Sequence, residues 1–137
     1  MKKTNLFLLT TALFGFFALS CNSLKSVPED MTVAQIIQQG QNYYGSGDYK
    51  AAALCYNTVI ERYGDDLATY VEAKYELGHL FLKTKDYKKA YSAFSEILEI
   101  YNTVSIGTLP ASYKKLAQIG IERIPESKQK YEMSTLF

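Results

Sequence analysis

The chain has 137 residues, the length of one domain. Its 15 Lys and Arg residues and 14 Asp and Glu residues leave a formal net charge of +1, which excludes a strongly basic nucleic-acid binder that acts through counterion release. One histidine and two cysteines are too few for an all-histidine metal site or a disulfide-dense scaffold. We therefore expect no metal, no cofactor and no nucleic acid.

Residues 1–20 have the pattern of an export signal. Lys2 and Lys3 precede an apolar run over 6–19, which is shorter than the roughly 20 apolar residues of a membrane-spanning helix. Ser20 follows the run, and Cys21 comes directly after it. We therefore expect residues 1–20 to be removed as a signal peptide.

The sequence Ala18-Leu19-Ser20-Cys21 resembles a bacterial lipobox. The resemblance implies that Cys21 is diacylated on sulfur and becomes the mature N-terminus, so that residues 21–30 form a lipidated, polar tether. Ala18 departs from the larger aliphatic residue that the pattern prefers, and cleavage near Ser20 with an unmodified cysteine is the alternative. Asn22 replaces the aspartate of inner-membrane retention signals, which favours an outer-membrane anchor facing the periplasm.

From residue 33 onward the chain repeats itself at an offset of 38 residues. Each copy contains two amphipathic helical patterns separated by a turn. The first members of the identical pairs are Val33, Gly40, Asp48, Tyr49, Lys50, Ala52, Glu61 and Tyr63. The predicted helix caps are Thr32, Asp48, Asp66 and Asp86. We place the two units at about 33–66 and 67–104.

The two units resemble the tetratricopeptide repeat, whose pattern is W-x₂-L-G-x₂-Y, then A-x₃-F, then P. The first unit contributes Gly40-x₂-Tyr43 and Ala52-x₃-Tyr56, and the second contributes Gly78-x₂-Phe81 and Ala90-x₃-Phe94. The initial aromatic residue and the closing proline are absent. An extra helical turn at 67–70 accounts for the four residues by which the offset exceeds the family period.

A third apolar face follows Pro110 and carries Tyr113, Leu116, Ala117, Gly120 and Ile124. We predict a capping helix at about 110–124 and a frayed tail at 125–137. Together with the resemblance, this predicts an all-α fold: two helix-turn-helix units and a capping helix in a short right-handed α-solenoid.

The resemblance implies that the first helix of each unit lines a concave, partner-binding surface. The residues it places there are Ile37, Gln38, Gln41, Tyr44, Tyr75, His79, Leu82 and Lys83. The family's chaperone-tail receptors hold a carboxylate with Lys and Asn. The corresponding positions here are Ile37 and Gln41, which do not support that activity. For His79 the alternative is an ordinary solvated surface histidine.

Cys55 and His79 also raise the question of a thiol enzyme. No orienting Asn or Asp is evident, and the repeat places Cys55 on a core-facing helix, so we expect a small buried hydrophobic residue. Most of the 12 tyrosines lie on the helical apolar stripes, which indicates core packing rather than base stacking.

These patterns predict a non-enzymatic, membrane-anchored lipoprotein that binds an envelope protein or peptide. It is loosely similar to the tetratricopeptide component of the outer-membrane β-barrel assembly machinery. A small homo-oligomer that uses its apolar face for self-association is the alternative function.

Overall fold

The structure is a computed structural model that describes residues 26–129. The predictions for the signal peptide, for Cys21 and for residues 130–137 lie outside the described residues. Within 26–129 the chain is helical and contains no strand. The helices are α1 (Val33–Ser46), α2 (Tyr49–Tyr63), α3 (Leu67–Lys83), α4 (Tyr87–Thr103) and α5 (Ala111–Glu122).

Side-chain caps begin the first four helices, as the sequence predicts. Thr32 forms the complete capping box with Gln35, whose side chain accepts a hydrogen bond from the Thr32 backbone N–H at 2.8 Å. The carboxylates of Asp48, Asp66 and Asp86 each accept a backbone N–H three residues later, which satisfies a donor that the first helical turn leaves free.

Helix boundaries differ from the predictions in a few places. The sequence Gly45-Ser46-Gly47 predicts a break in the first helix, but α1 continues through Ser46 and is closed by Gly47, whose φ is 84°. α3 begins at Leu67, which confirms the extra turn. α5 is shorter than predicted, because Pro110 is its N-cap rather than its first helical residue. Part of the expected tail is also ordered, since Gln129 donates a hydrogen bond to the Ile121 carbonyl.

The helices pack in chain order as consecutive helix-turn-helix pairs, and α5 covers α3 and α4. This confirms the predicted all-α, short solenoid with a capping helix. Because successive helices alternate in direction, α1, α3 and α5 begin at one end of the domain, which we call the lower end. Their last turns lie at the opposite, upper end. No helix within 26–129 combines the length and the apolar character needed to cross a bilayer.

One large ring in each unit packs against glycine. A Cβ on Gly40 would lie 2.5 Å from Tyr56 Cε1, and one on Gly78 would lie 2.7 Å from Phe94 Cε1. The opposite edge of the Phe94 ring meets α5, where a Cβ on Gly120 would lie 2.5 Å from Cε2. The Phe94 ring therefore fills the space between the second unit and the capping helix, and it is fully buried.

Residues 26–31, which we call the strap, precede α1 and are docked on the domain. Val27 is 4% exposed and belongs to the core formed by α1, α2 and α3. The Arg62 guanidinium donates to the carbonyls of Val27 and Pro28, at 2.8 Å each. Residues 26–30 are thus held by α2 rather than forming the free tether that the sequence suggested, because a buried apolar side chain and two backbone acceptors oppose their release.

We expect Gly78→Ala to destabilise the protein although alanine favours a helix by about 1 kcal/mol. The added methyl group would overlap the buried Phe94 ring, and overpacking costs typically about 1–3 kcal/mol. Gly45→Ala is the matched control, because no atom apart from the adjacent residues and the backbone of its own helix lies within 4 Å of its Cβ position. Urea unfolding should show a lower free energy of unfolding for Gly78→Ala and an unchanged or higher one for Gly45→Ala. Equal effects at both positions would contradict this packing.

Candidate functional site

Four rings lie in a row across the face formed by α1, α3 and α5. Tyr44 of α1 stacks on His79 of α3, with 5.3 Å between ring centroids, and His79 stacks on Tyr75 at 6.1 Å. Tyr113 of α5 extends the row, 5.7 Å from Tyr75. Tyr75 and His79 are four residues apart, which places them on one side of α3. We call these four residues the aromatic row; each ring is half-buried.

Polar groups flank the row at its middle. Gln41 Nε2 donates to Glu76 Oε1 at 2.9 Å, which links α1 to α3. Burial, reinforced by the Glu72 carboxylate, raises the pKa of Tyr113 to about 12. Burial is also the largest cause that raises the pKa of Tyr44 and Tyr75. All three hydroxyl groups are therefore neutral at physiological pH and can donate hydrogen bonds.

At the upper end the row opens into a cleft of about 270 Å³. Lys83 at the end of α3, Lys85 in the next turn and Arg123 at the end of α5 line it, together with Tyr44, His79, Leu82 and Tyr87. Lys83, Lys85 and Arg123 form no ion pair with a carboxylate within the described residues. Three cations beside stacked rings make this cleft suited to a negatively charged group.

His79 is a half-buried member of this arrangement rather than a fully solvated surface histidine. Burial lowers its pKa, and the nearby charges of Arg123 and Lys83 lower it further, against the opposing effect of Glu76. The imidazole is consequently neutral at pH 7, which suits a ring packed between two tyrosines. Its stacking partners come from two helices, so its position depends on the packing of α1 against α3.

The structure brings together six of the eight residues predicted for the binding face. Ile37 is a correction: it is 6% exposed and lies in the core, because α1 packs on α3 as well as on α2. Gln38 is exposed elsewhere, on the open side of α1, where it bonds to Asn42. The six residues on or beside the row are Gln41, Tyr44, Tyr75, His79, Leu82 and Lys83.

Sequence reasoning missed Tyr113, Glu76 and Arg123. Tyr113 packs against the second core, as its place on the apolar face of α5 predicts, and it also joins the row because α5 lies beside α3. If α5 is aligned with α3 as the first helix of a third unit, the alignment places Tyr113 near Tyr75. No sequence pattern indicates that Arg123 lies in the same cleft as Tyr44 of α1.

Cys55 lies apart from the row and is 0% exposed, which confirms the prediction of a small buried hydrophobic residue. Burial raises the pKa of its thiol, so the reactive thiolate is disfavoured. Within residues 26–129 no group of three or more His, Cys, Asp or Glu side chains could hold a metal ion.

Residues 71–103 match the family model of the tetratricopeptide repeat. They comprise most of α3 and all of α4, the second helix-turn-helix unit. A protein of Treponema pallidum (strain Nichols) described as "Uncharacterized protein" is 32% identical over 117 residues, which cover 82% of this chain and 47% of that protein. The chain thus spans about half the length of this relative. No solved structure matches the chain.

The matched repeat gives the aromatic row a functional context. Tetratricopeptide repeats generally mediate protein–protein interaction, and the row includes residues of the matched α3 helix. The chain therefore contains a repeat of a class that generally serves protein–protein interaction. Its first unit and α5 extend the surface of that repeat on both sides.

The free energy of unfolding should fall as the pH drops below about 6.5, the pKa of an unfolded histidine. His79 has a lower pKa in the folded protein, so the unfolded state takes up the proton at a higher pH. Stability is therefore lost as the pH falls from the unfolded pKa to the folded pKa. Urea unfolding at about pH 7 and pH 5.5 should show this loss in the native protein and a smaller loss in His79→Gln. An equal loss in both would contradict the environment described for His79.

Proposed function

We propose that this protein is a non-enzymatic, membrane-anchored adaptor that binds a partner protein or peptide of the bacterial envelope. The observation that carries the proposal is the aromatic row, which joins α1, α3 and α5 into one surface beside the cationic cleft. The matched tetratricopeptide repeat supports protein binding as its class of function.

The row has the chemistry of a protein-binding surface. Tyrosine rings bury a large apolar area at small conformational cost, and their hydroxyl groups still find hydrogen-bond partners, so they are enriched where proteins meet. Leu82 adds an aliphatic contact beside His79. A helix or an extended segment laid along the row would cover these half-buried rings and exclude water from them.

The cleft indicates the charge of the partner. Lys83 and Lys85, at and just beyond the end of α3, and Arg123 at the end of α5 converge on one opening. An acidic segment that ends there would gain charge-assisted hydrogen bonds without displacing an internal carboxylate. We propose that the partner carries at least one carboxylate at this end and apolar side chains along the row.

The proposed anchor rests on the sequence. The signal pattern followed by Cys21 supports lipidation, and burying acyl chains contributes about 0.8 kcal/mol per CH₂ group, so two or three chains hold a protein stably on a membrane. Asn22 favours the outer membrane, with the domain in the periplasm. A role beside the β-barrel assembly machinery is the more specific form of this proposal. The burial of Cys55 gives the thiol-enzyme alternative no support.

The adaptor is tested by affinity purification of the tagged, full-length protein from detergent-solubilised envelopes. Tyr75→Ala/His79→Ala removes the middle of the row, and Asn57→Ala/Ser92→Ala is the matched control on exposed positions of α2 and α4. We expect envelope proteins to co-purify with the native and control proteins and to be lost with the row variant.

Because Tyr75 also contacts the buried Phe94, loss of binding in the row variant could result from unfolding, so a second variant is needed. Lys83→Glu/Arg123→Glu changes only exposed side chains and should lose the same partners while the thermal unfolding midpoint stays close to that of the native protein. Partners that both variants retain would refute binding at this face. Recovery of the protein alone, with concentration-dependent sedimentation, would favour the self-associating alternative.

A further inference from the structure

The strap is fixed to the lower end of the domain by three independent contacts. Arg62 holds two backbone carbonyls and pairs with Glu29 at 2.9 Å. Val27 is buried in the core, and the Tyr63 hydroxyl donates to the Met31 carbonyl at 3.0 Å. Arg62 and Tyr63 lie in the last turn of α2, so the hydrogen bonds join the entry of the chain to one end of one helix, while Val27 packs in the core shared by α1, α2 and α3.

The proposed lipid is therefore close to that end. Only residues 22–25 separate Cys21 from Ser26, where the strap begins. Five fully extended Cα–Cα steps span at most about 18 Å. The upper end of α3, a helix of 17 residues, lies about 25 Å from the lower end of the domain. A lipid on Cys21 can therefore place the lower end at a bilayer surface, and a docked strap prevents the upper end from taking its place.

The loop between α4 and α5 supplies an apolar tip at the same end. Ile106 is fully exposed, beside Gly107 with a φ of 89°. Tyr101 donates a hydrogen bond to the Pro110 carbonyl across the base of this loop, and Leu109 is buried beneath it. Inserting this side chain into a bilayer would remove its apolar area from water, which is favourable.

We infer that the strap orients the protein on the membrane, with the lower end and Ile106 against the bilayer and the cationic cleft facing away from it. The partner of this surface is a lipid bilayer. The inference rests on the proposed lipidation of Cys21. It also assigns a role to Arg62, which holds the entry of the chain and lies away from the aromatic row.

Charge alone would favour the opposite orientation. The lower end carries Glu29, Asp30, Asp65 and Asp66 against the cation Arg62. At the upper end the lysines and Arg123 of the cleft, together with Lys50, Lys88 and Lys89, outnumber the capping carboxylates of Asp48 and Asp86. An anionic bilayer would attract the upper end if the strap were free. Orientation in phosphatidylcholine vesicles containing phosphatidylglycerol therefore separates the two mechanisms, since only a docked strap keeps the acidic end at the lipid surface.

The test uses the full-length, lipidated protein with Cys55→Ala, reconstituted in such vesicles. An environment-sensitive fluorophore is attached at Thr108→Cys in the lower loop or at Lys85→Cys at the upper end, both exposed positions. The Cys21 sulfur carries the lipid and does not react. We expect spin-labelled lipids to quench most of the fluorescence at 108 and little at 85.

Two strap variants sharpen the comparison. Arg62→Ala removes the bonds to both carbonyls and should reduce the difference between positions 108 and 85, although Val27 and Tyr63 still hold the strap. Glu29→Ala keeps those bonds and should preserve the difference, because the Glu29 side chain is 90% exposed and its ion pair contributes little. Unchanged helical circular dichroism confirms that Arg62→Ala is folded.

Flotation of the same vesicles tests the lipid anchor separately from the orientation on the membrane. A protein that stays at the bottom of the gradient refutes the anchor itself. A protein that floats but is quenched equally at 108 and 85, or more at 85, overturns the inferred orientation while leaving the anchor intact. A difference between positions 108 and 85 that is undiminished in Arg62→Ala would refute the role assigned to Arg62.

Discussion

The Phe94 ring, held between Gly78 and Gly120, is the constraint on which the rest of the structure depends. Both glycines approach the ring more closely than any residue with a Cβ could, so α3 and α5 are drawn against α4 on either side of it. Tyr56 and Gly40 make the equivalent contact in the first unit. Close approach through a missing side chain thus sets the spacing of the helices, and a buried ring fills the space that remains.

The aromatic row follows from that spacing. Since α1, α3 and α5 lie side by side, residues one helical turn apart on α3 reach Tyr44 on one side and Tyr113 on the other. Their half-buried state leaves apolar area available to a partner, while the cations at the upper end favour an acidic group there. Core packing therefore positions the proposed binding surface, although the residues that form that surface are not themselves the core.

The sequence predicted most of this fold because its information is local. Caps and apolar stripes involve residues within a few helical turns, and the 38-residue repeat is visible when the chain is compared with itself. The structure confirms all three features. Ile37 is buried in the core shared by α1, α2 and α3, and periodicity within one helix does not reveal how the helices pack around it. The strap was missed for a similar reason: Arg62 bonds to carbonyls more than 30 residues earlier, and backbone acceptors leave no mark in a sequence. Tyr113 and Arg123 likewise acquire their neighbours only when the helices pack.

Photo-cross-linking in living cells tests the central claim most directly, namely that partners bind along the aromatic row. A photoreactive amino acid at Tyr44 would lie on the row, and the same residue at Asn57 would lie on the exposed surface of α2. We predict that irradiation joins position 44 to a distinct envelope protein and leaves position 57 without that adduct. Cross-linking to the same protein from position 57 but not from position 44 would contradict the account.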